Sequence, residues 1–476
     1  MKMVVVVYDN RIVPNKKIQT IIGNQNYGNI VLKRETLFSK YEKIFKEENC
    51  IEEVIRIDSE EDRDNFLQRI NKFKINNFIH ISSNIIYTNA EEMKIIINKA
   101  GYVEENIIVK STDNGIAIFN NATDYVDYLK NGIINSQKFE QMESDSFVNL
   151  ENYNEFLKYI SGGFDARFFN SMKSDDNLVI KSSKDKNKIK KEYTYYQLLP
   201  ASMKKWMVMP YDYTETEDSA SYTMERLFIP DLAIRWTHGA IDESELRNIL
   251  DKTFYYINTR ASEKATEAEA KKIADKLYVD KLLERIEKLK AHSLFPVFDA
   301  YIKNGTDYNS IDEIAQEYIE MYKKHIKVKG NLVIGHGDLC FSNMMYNNDV
   351  NLLKLIDPKG ALSEEELWTD PMYDIAKLSH SICGLYDFFN CDKYSITMDK
   401  SMKFELHIKC DNKKSKEIFK EYLEKNGYDY KEIRICEVSL FLSMLPLHMD
   451  YPKKVFGFLL NAINIMKELK KEKAER

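Results

Sequence analysis

The stretch Ile334-Gly335-His336-Gly337-Asp338-Leu339-Cys340-Phe341-Ser342-Asn343, followed at a short interval by Leu355-Ile356-Asp357-Pro358, decides how the rest of the chain is read. Between the two lie the apolar Met344-Met345-Tyr346, a turn-forming Asn347-Asn348-Asp349 and a second apolar run from Leu352 to Ile356. Apolar runs on either side of turn residues predict a β-hairpin, with Asn343 at the start of one strand and Asp357 at the end of the other. Paired strands lie about 5 Å apart. An amide and a carboxylate at those positions can therefore share a hard cation such as Mg²⁺, with metal–oxygen bonds of about 2.0–2.1 Å. Asp338 lies upstream in a loop, within reach of an oxygen attacking a phosphate held by that cation. The plain alternative is an ordinary turn, in which glycine supplies backbone freedom and Asp bonds its own main chain. That alternative leaves the downstream Asn and Asp as coincidences.

These residues resemble the catalytic loop and metal-binding segment of the aminoglycoside phosphotransferase and choline kinase family, the small-molecule branch of the protein-kinase-like fold. The shared pattern is His-Gly-Asp-x-x-x-x-Asn, a hairpin, then a hydrophobic pair followed by Asp. The resemblance implies that Asp338 is the catalytic base and that His336 braces its loop. It also implies Asn343 and Asp357 as magnesium ligands, with ATP and Mg²⁺ as cofactors. Asp370-Pro371-Met372-Tyr373-Asp374-Ile375-Ala376-Lys377-Leu378 stands where family members open a helix behind the catalytic loop. A carboxylate is favoured in a first helical turn, so Asp374 reads as a cap that also anchors the loop. The next run, Ser379 to Asp387, is polar for a buried helix and is similar to one in kinase-like proteins of capsule and surface-polysaccharide loci. His380, Tyr386 and Asp387 are thus candidate substrate contacts, with a satisfied core histidine as the other reading of His380.

Upstream, Tyr159 to Phe169 reads as two strands around the glycine turn Gly162-Gly163, where a lid would turn backbone amides toward ATP phosphates. Leu178-Val179-Ile180-Lys181 reads as a short strand ending in the lysine that contacts phosphates, with Glu192 on the following helix to steady it. The alternative is that Lys181 is one of six lysines between 181 and 191. Trp206 to Met209 is strand-like, and Ser221 to Leu227, including Glu225, fits the strand into an interlobe hinge. From Ser244 to Ile326 the pattern is helical. Lys264 to Lys290 reads as one long helix with Ile273, Leu277, Leu282, Leu283 and Ile286 on its buried stripe. Ser395 to Lys409 alternates as strands, and Val438 to Met444 and Val455 to Leu469 are helical.

Residues 1–130 alternate strand and helix: strands at Val4–Val7, Val54–Ile57, Phe78–Ile81 and Ile107–Val109, helices at Glu61–Lys72 and Ala90–Lys99. This predicts a mostly parallel α/β sheet and loosely resembles a nucleotidyltransferase or glycosyltransferase core. Yet Tyr8-Asp9-Asn10-Arg11 replaces a glycine-rich phosphate loop, and Ser82-Ser83-Asn84 stands where a metal-binding carboxylate is expected. The domain is therefore read as degenerate. The expected order is an α/β domain over 1–135, then an α+β bilobal kinase-like domain with an N-lobe over 150–235 and a helical C-lobe over 236–476.

The chain has 476 residues, enough for two or three cores. Its 69 Lys plus Arg stand against 75 Asp plus Glu, a net charge of −6; the basic runs Lys184–Lys191 and Lys467–Lys473 are interleaved with acids or confined to an end, which gives a nucleic-acid or membrane-surface role little support. Cys50, Cys340, Cys383, Cys391, Cys410 and Cys436 include no Cys-x-x-Cys pair, as expected of free thiols in a reducing cytoplasm. No signal segment or spanning run is visible. The expectation is a cytoplasmic, ATP- and Mg²⁺-dependent kinase acting on a hydroxyl of a small-molecule acceptor, a sugar, polyol or amino alcohol. Two alternatives stay open: a silent nucleotide-binding pseudokinase scaffold, and a transferase whose chemistry lies in the first domain.

Overall fold

A computed structural model describes residues 2–32, 34–73, 77–112, 115–132, 139–162, 170–174 and 177–471. The chain divides into two units, Met1–Gly163 with His238–Ala240, and Phe164–Thr237 with Ile241–Arg476.

The first unit is built on strands β1 (Val4–Asp9), β2 (Ile51–Ile57), β3 (Phe78–Ser82), β4 (Asn106–Val109), β5 (Ile116–Phe119) and β6 (Phe139–Met142). They form one sheet in the order β2-β1-β3-β5-β4-β6. β1 runs parallel to β2 and β3, and β4 to β6, while β5 is antiparallel to both its neighbours. Val4 to Val7 and Phe78 to Ser82 are buried throughout, as strands covered on both faces must be, and the second carries His80 and Ser82 into the interior. Crossover helices start where a side chain takes up an orphan amide: Ser59 before α3 (Glu60–Arg69), Asn89 before α4 (Ala90–Ala100) and Asn121 before α5 (Ala122–Asn131). Two further helices, α1 (Lys16–Ile22) and α2 (Leu37–Glu47), lie between β1 and β2. The sequence pattern missed β5, and with it the antiparallel break in the sheet. Tyr159 to Gly162 close a helix, α6 (Tyr153–Gly162), and are not a strand entering a glycine turn. Gly163 and the remainder of that expected lid, to Phe169, lie outside the described residues.

The second unit opens with an antiparallel sheet of β7 (Asn170–Ser174), β8 (Leu178–Ser183), β9 (Pro210–Glu215) and β10 (Ala220–Glu225), in the order β7-β8-β10-β9. Helix α7 (Lys186–Leu198), capped by Asp185, packs on it through Ile189. Trp206 to Met209 is not a strand of this sheet. The Leu355 amide donates to the Trp206 carbonyl at 2.7 Å and the Val208 amide to the Leu355 carbonyl at 3.1 Å, so the segment pairs with the distant hairpin instead.

The helical remainder shares one large core. Its helices include α8 (Leu232–Thr237), α9 (Glu243–Asn258), α10 (Glu267–Asp275), α11 (Lys281–Lys290), α12 (Phe295–Gly305) and α13 (Ile311–His325). After the hairpin β11 (Met344–Asn347) and β12 (Leu352–Leu355) come α14 (Tyr373–Ile382), α15 (Tyr386–Asn390), α16 (Lys413–Lys425), α17 (Tyr430–Ser443) and α18 (Pro452–Lys471). The expected helix over 264–290 contains a π-turn, Lys276–Asp280, between α10 and α11. The wide turn rephases the helix. Ala270, Ala274, Tyr278, Leu282, Ile286 and Leu289 face the core, Ile273 and Leu277 are only half-buried, and Leu283 is 46% exposed. A uniform 3.6-residue reading put the last three on the buried stripe; the extra residue of the turn carries Leu283, which follows it, around the axis and out of that stripe.

All six cysteines are free thiols. Among the described residues, no helix is long and apolar enough to cross a membrane.

Candidate active site

Met344–Asn347 pairs with Leu352–Leu355 in the register Met344↔Leu355 to Asn347↔Leu352. The pairing continues past the strands, since the Ile356 amide donates to the Asn343 carbonyl at 3.1 Å. Asn343 closes a short 3-10 turn before the first strand, and Asp357 follows the second. Asp357 holds φ at +55°, a left-handed conformation that Asp tolerates better than most residues and that recurs where structure over-determines a site.

Asp338 is held by several groups. Asn343 Nδ2 donates to its carbonyl at 2.8 Å and to its Oδ2 at 3.1 Å, and Lys377 Nζ stands 2.8 Å from its Oδ1. With the Asn343 amide nitrogen committed to Asp338, its side-chain oxygen is the end left to face a ligand. Lys377 was not singled out from sequence. It lies one helical turn after Tyr373, so α14 points both toward the loop.

Behind the loop, Asp374 accepts from the His336 amide at 2.9 Å and the Gly337 amide at 2.8 Å. Arg260 donates to the same carboxylate at 2.8 Å, and both side chains are essentially excluded from water. Arg260 was also missed, being remote in sequence and without a motif around it. His336 closes the brace on the other side, its Nε2 lying 2.9 Å from the Ile356 carbonyl. Burial depresses its pKa below the usual histidine value. A neutral ring therefore suits the position. Gly337 has φ +79°, and a Cβ there would stand 2.5 Å from Lys359 Cβ, so only glycine fits.

Lys181 lies within β8, not at its end, and bridges two acids. Its Nζ is 2.7 Å from Glu192 Oε2 on α7 and 2.7 Å from Asp357 Oδ1. Burial raises the Glu192 pKa despite the lysine. At Asp357 burial acts the same way, but the Lys181 charge outweighs it and keeps the carboxyl below its ordinary range. Lys181 and Glu192 are almost fully buried, whereas the Asp357 side chain is 41% exposed and open to a ligand. Tyr222 donates to Glu192 at 3.0 Å and completes the buried end.

The remaining expected residues are scattered. Glu225 is exposed at the last position of β10, from which the chain leaves toward α8. Gly162 ends α6 in the first unit. His380, Tyr386 and Asp387 do come together with groups near Asp338. The His380 ring stacks on Tyr386 at 4.4 Å and meets Phe441 edge-on at 4.2 Å. Neither ring nitrogen of His380 has a hydrogen-bond partner among the described residues, whereas Ser381 and a backbone amide interact with the Asp387 carboxyl. His380 is thus not the satisfied core histidine of the alternative reading. Burial pushes Asp387 up to about 7, and Asp231, also up to about 7, feels the Asp387 charge as well as its own burial. Leu385, directly before this pair, is forced to φ +54°, unusual for a bulky side chain.

A magnesium ion fits the donor set in chemistry: one amide oxygen and one partly exposed carboxylate, with phosphate oxygens to complete the shell. Among the described residues no group of three or more His, Cys, Asp or Glu could hold a metal by protein ligands alone.

No protein-family model matches the chain, and no curated relative does. Among solved structures, a ternary complex of aminoglycoside phosphotransferase APH(4)-Ia with ADP and hygromycin B aligns at 11% identity and a TM-score of 0.38, covering 66% of this chain and 98% of that one. A candidate fructosamine-3-kinase from Haemophilus somnus 129PT aligns at 12% identity and 0.35, over 66% and 96%. A streptomycin–ATP complex of APH(2″)-IIa aligns at 16% identity and 0.31, over 68% and 97%. These structural neighbours are small-molecule phosphotransferases, and the reading of the site rests on its own geometry.

Proposed function

We propose that the protein is an ATP- and Mg²⁺-dependent small-molecule kinase that transfers the γ-phosphate to an acceptor hydroxyl. One observation carries this reading: Lys181 is bonded to both Glu192 and Asp357, while Asn343, one hairpin away from Asp357, is bonded to Asp338. A phosphate-orienting cation, two candidate metal ligands and a base are thereby linked into one set.

In this mechanism Lys181 orients the nucleotide phosphates, steadied by Glu192. Asn343 and Asp357 would hold magnesium, which supplies charge neutralisation on the transferring phosphoryl group. Asp338 accepts a hydrogen bond from the acceptor hydroxyl, orients its oxygen toward the γ-phosphorus and takes the proton as the bond forms. Lys377 keeps the Asp338 carboxylate in place, and Asp374 and Arg260 fix the loop that carries it. Positioning and electrostatics supply most of the acceleration. The acceptor is a sugar, polyol or amino alcohol that reaches Asp338 past Asp387 and Tyr386. The likeness of Ser379 to Asp387 to proteins of capsule loci supports a place in surface-polysaccharide assembly. The kinase works in the cytoplasm.

The test is ADP release by the purified protein with Mg²⁺ and a panel of sugars, polyols, choline, ethanolamine and aminoglycosides. Acceptor-dependent release that disappears in Asp338→Ala, with nucleotide affinity nearly unchanged, is the expected result. Turnover that survives the substitution removes Asp338 as the base.

A further inference from the structure

The helix that carries the π-turn does more than scaffold the core. Tyr278, inside the turn, donates to Asp370 Oδ1 at 3.0 Å and ties the turn to the residues just before α14. Lys276 opens the turn and Lys281 follows it. Lys281 Nζ donates to the Tyr373 hydroxyl at 3.1 Å and stands 5.6 Å from the centre of that ring. On the same helix as Tyr373, Lys377 reaches Asp338. From a third element, Lys359 donates its amide to the His336 carbonyl at 2.9 Å and lays its side chain over Gly337. Turns of this kind recur at functional sites, where they rotate chosen side chains out of regular phase.

The charges assembled here are mostly unmatched. Lys276 and Lys359 are solvent-accessible and have no ion-pair partner among the described residues. The acids nearby are engaged elsewhere: Glu366 with Lys191 at 3.3 Å, Asp338 with Lys377, and Asp275 with Lys271 and Tyr322. Asp280, on the turn itself, pairs with neither of the lysines beside it. Partial loss of hydration, the like charges of Lys281 and Lys276, and that of Lys191 hold Lys359 below its ordinary pKa. At Tyr373 the charges of Lys281 and Lys377 outweigh burial and lower the phenol. Like charges held together without counter-charge cost free energy, and an anionic ligand removes that cost.

The two oxygens of Asp338 indicate which reactant brings the anion. Oδ2 faces Asn343, on the metal and nucleotide side, whereas Oδ1 faces Lys377 and the lysine cluster beyond it. We propose that Lys276, Lys281 and Lys359, gathered with Tyr373 beside Asp338, form a recognition site for an anionic group on the acceptor, a phosphate ester or a carboxylate. This rests on the kinase reading and narrows it to acceptors that carry a negative charge as well as the reacting hydroxyl.

The experiment uses the full chain and the double variant Lys281→Gln/Lys359→Gln, whose unliganded melting temperature should stay within about 2 °C of wild type because Lys359 is exposed, Lys281 is only half-buried and neither is in an ion pair among the described residues. Inorganic phosphate is titrated into each protein with saturating Mg²⁺·AMP-PNP, with thermal stabilisation as the readout. Glucose, glucosamine, glucuronate and glucose 6-phosphate are then compared in the same assay and in ADP release. The expected result is stabilisation of wild type by phosphate on top of AMP-PNP, with apparent affinity reduced about tenfold or more in the double variant. Glucuronate or glucose 6-phosphate should surpass the neutral and aminated hexoses, and the better of the two names the anion. The KM for ATP should stay within about twofold. The proposal is overturned if phosphate no longer binds once AMP-PNP is present, since the lysines then serve the nucleotide. It is equally overturned if phosphate affinity is the same in both proteins. Failure of the kinase reading looks different: Mg²⁺·AMP-PNP does not bind and no ADP release depends on Asp338, whatever phosphate does.

Discussion

Polar residues collect in two places in this chain, at the ends of the first unit's sheet and at the loop-and-hairpin of the second, and they are arranged in opposite ways. At the end of β1, Asp9 receives three bonds from a single neighbour, Arg11, through its amide, Nε and Nη2. Burial pushes the Asp9 carboxyl up, and Arg11 outweighs it. His80, on β3, lies between the Tyr125 hydroxyl at 3.2 Å and Ser82 Oγ at 3.3 Å, and burial lowers its pKa to about 4. Asn10 spends its amide on Asp58 and on the Gly28 backbone. Most charge and hydrogen-bonding capacity is thus consumed within the cluster, although Tyr8 Oη, Ser83 Oγ and Asn84 Oδ1 have no partner among the described residues. In the second unit the bonds run between elements far apart in sequence and leave reactive atoms facing outward. Asp357 keeps an exposed carboxylate, and Asn343 keeps its oxygen. A cluster that closes on itself holds a fold together, and one that closes on its back side alone can meet a substrate.

The largest effect that would sharpen this contrast is Asp338→Ala, for which acceptor-dependent kcat should fall by about 10²–10⁴, the range for a lost general base. Steady-state kinetics with ATP titration reads both the fall and the retained nucleotide affinity. Next comes Asp374→Ala. It leaves Arg260 charged and unpaired in the interior, and the second unit should lose about 3–5 kcal/mol in urea unfolding. A loss under 1 kcal/mol would mean the loop is anchored by something else.

A smaller effect is expected at Asp387, with its sign set by pH. The native carboxyl keeps its proton up to about pH 7, while an unfolded Asp releases it near 4. The folded state binds the extra proton through that window, so stability is lost as pH rises from about 4 to 7. Asp387→Asn carries no charge to bury and should melt higher than wild type at pH 8, by several degrees, with the difference vanishing near pH 4. Differential scanning calorimetry at the two pH values decides it. The smallest effect is Asp9→Ala. If the first unit's polar cluster is purely structural, ADP release should stay within about twofold. A deep loss there would move chemistry into the first unit and break the comparison.

Legibility followed the range of the interactions. The hairpin, its turn and the strands of the first unit are local patterns, and the strands from Val4 and Phe78 were visible within a residue or two at each end. Lys181 and Glu192 could be paired from their order along the chain, but the Lys181–Asp357 bond spans 176 residues. Arg260 meets Asp374 across 114 residues. A lone Arg at the end of a helical stretch carries no signal for such a bond. The π-turn was invisible because a uniform helical period was imposed on Lys264 to Lys290, where the real stripe steps from Ala274 to Tyr278 to Leu282. Gly162 misled for the reverse reason: a glycine pair suggests a turn, yet Tyr153 to Gly162 form a helix with Phe156, Leu157 and Ile160 in the core.

The carboxylate of Asp374 has one further consequence. The His336 amide it receives belongs to a residue fully excluded from water, and the carboxylate is itself buried and held by Arg260. The His336 amide proton can leave only when this part of the molecule opens as a whole, which puts it among the slowest to exchange with deuterium. The loop bearing Asp338 is then set before any ligand arrives. Motion that admits or releases reactants has to be sought in the segments around it.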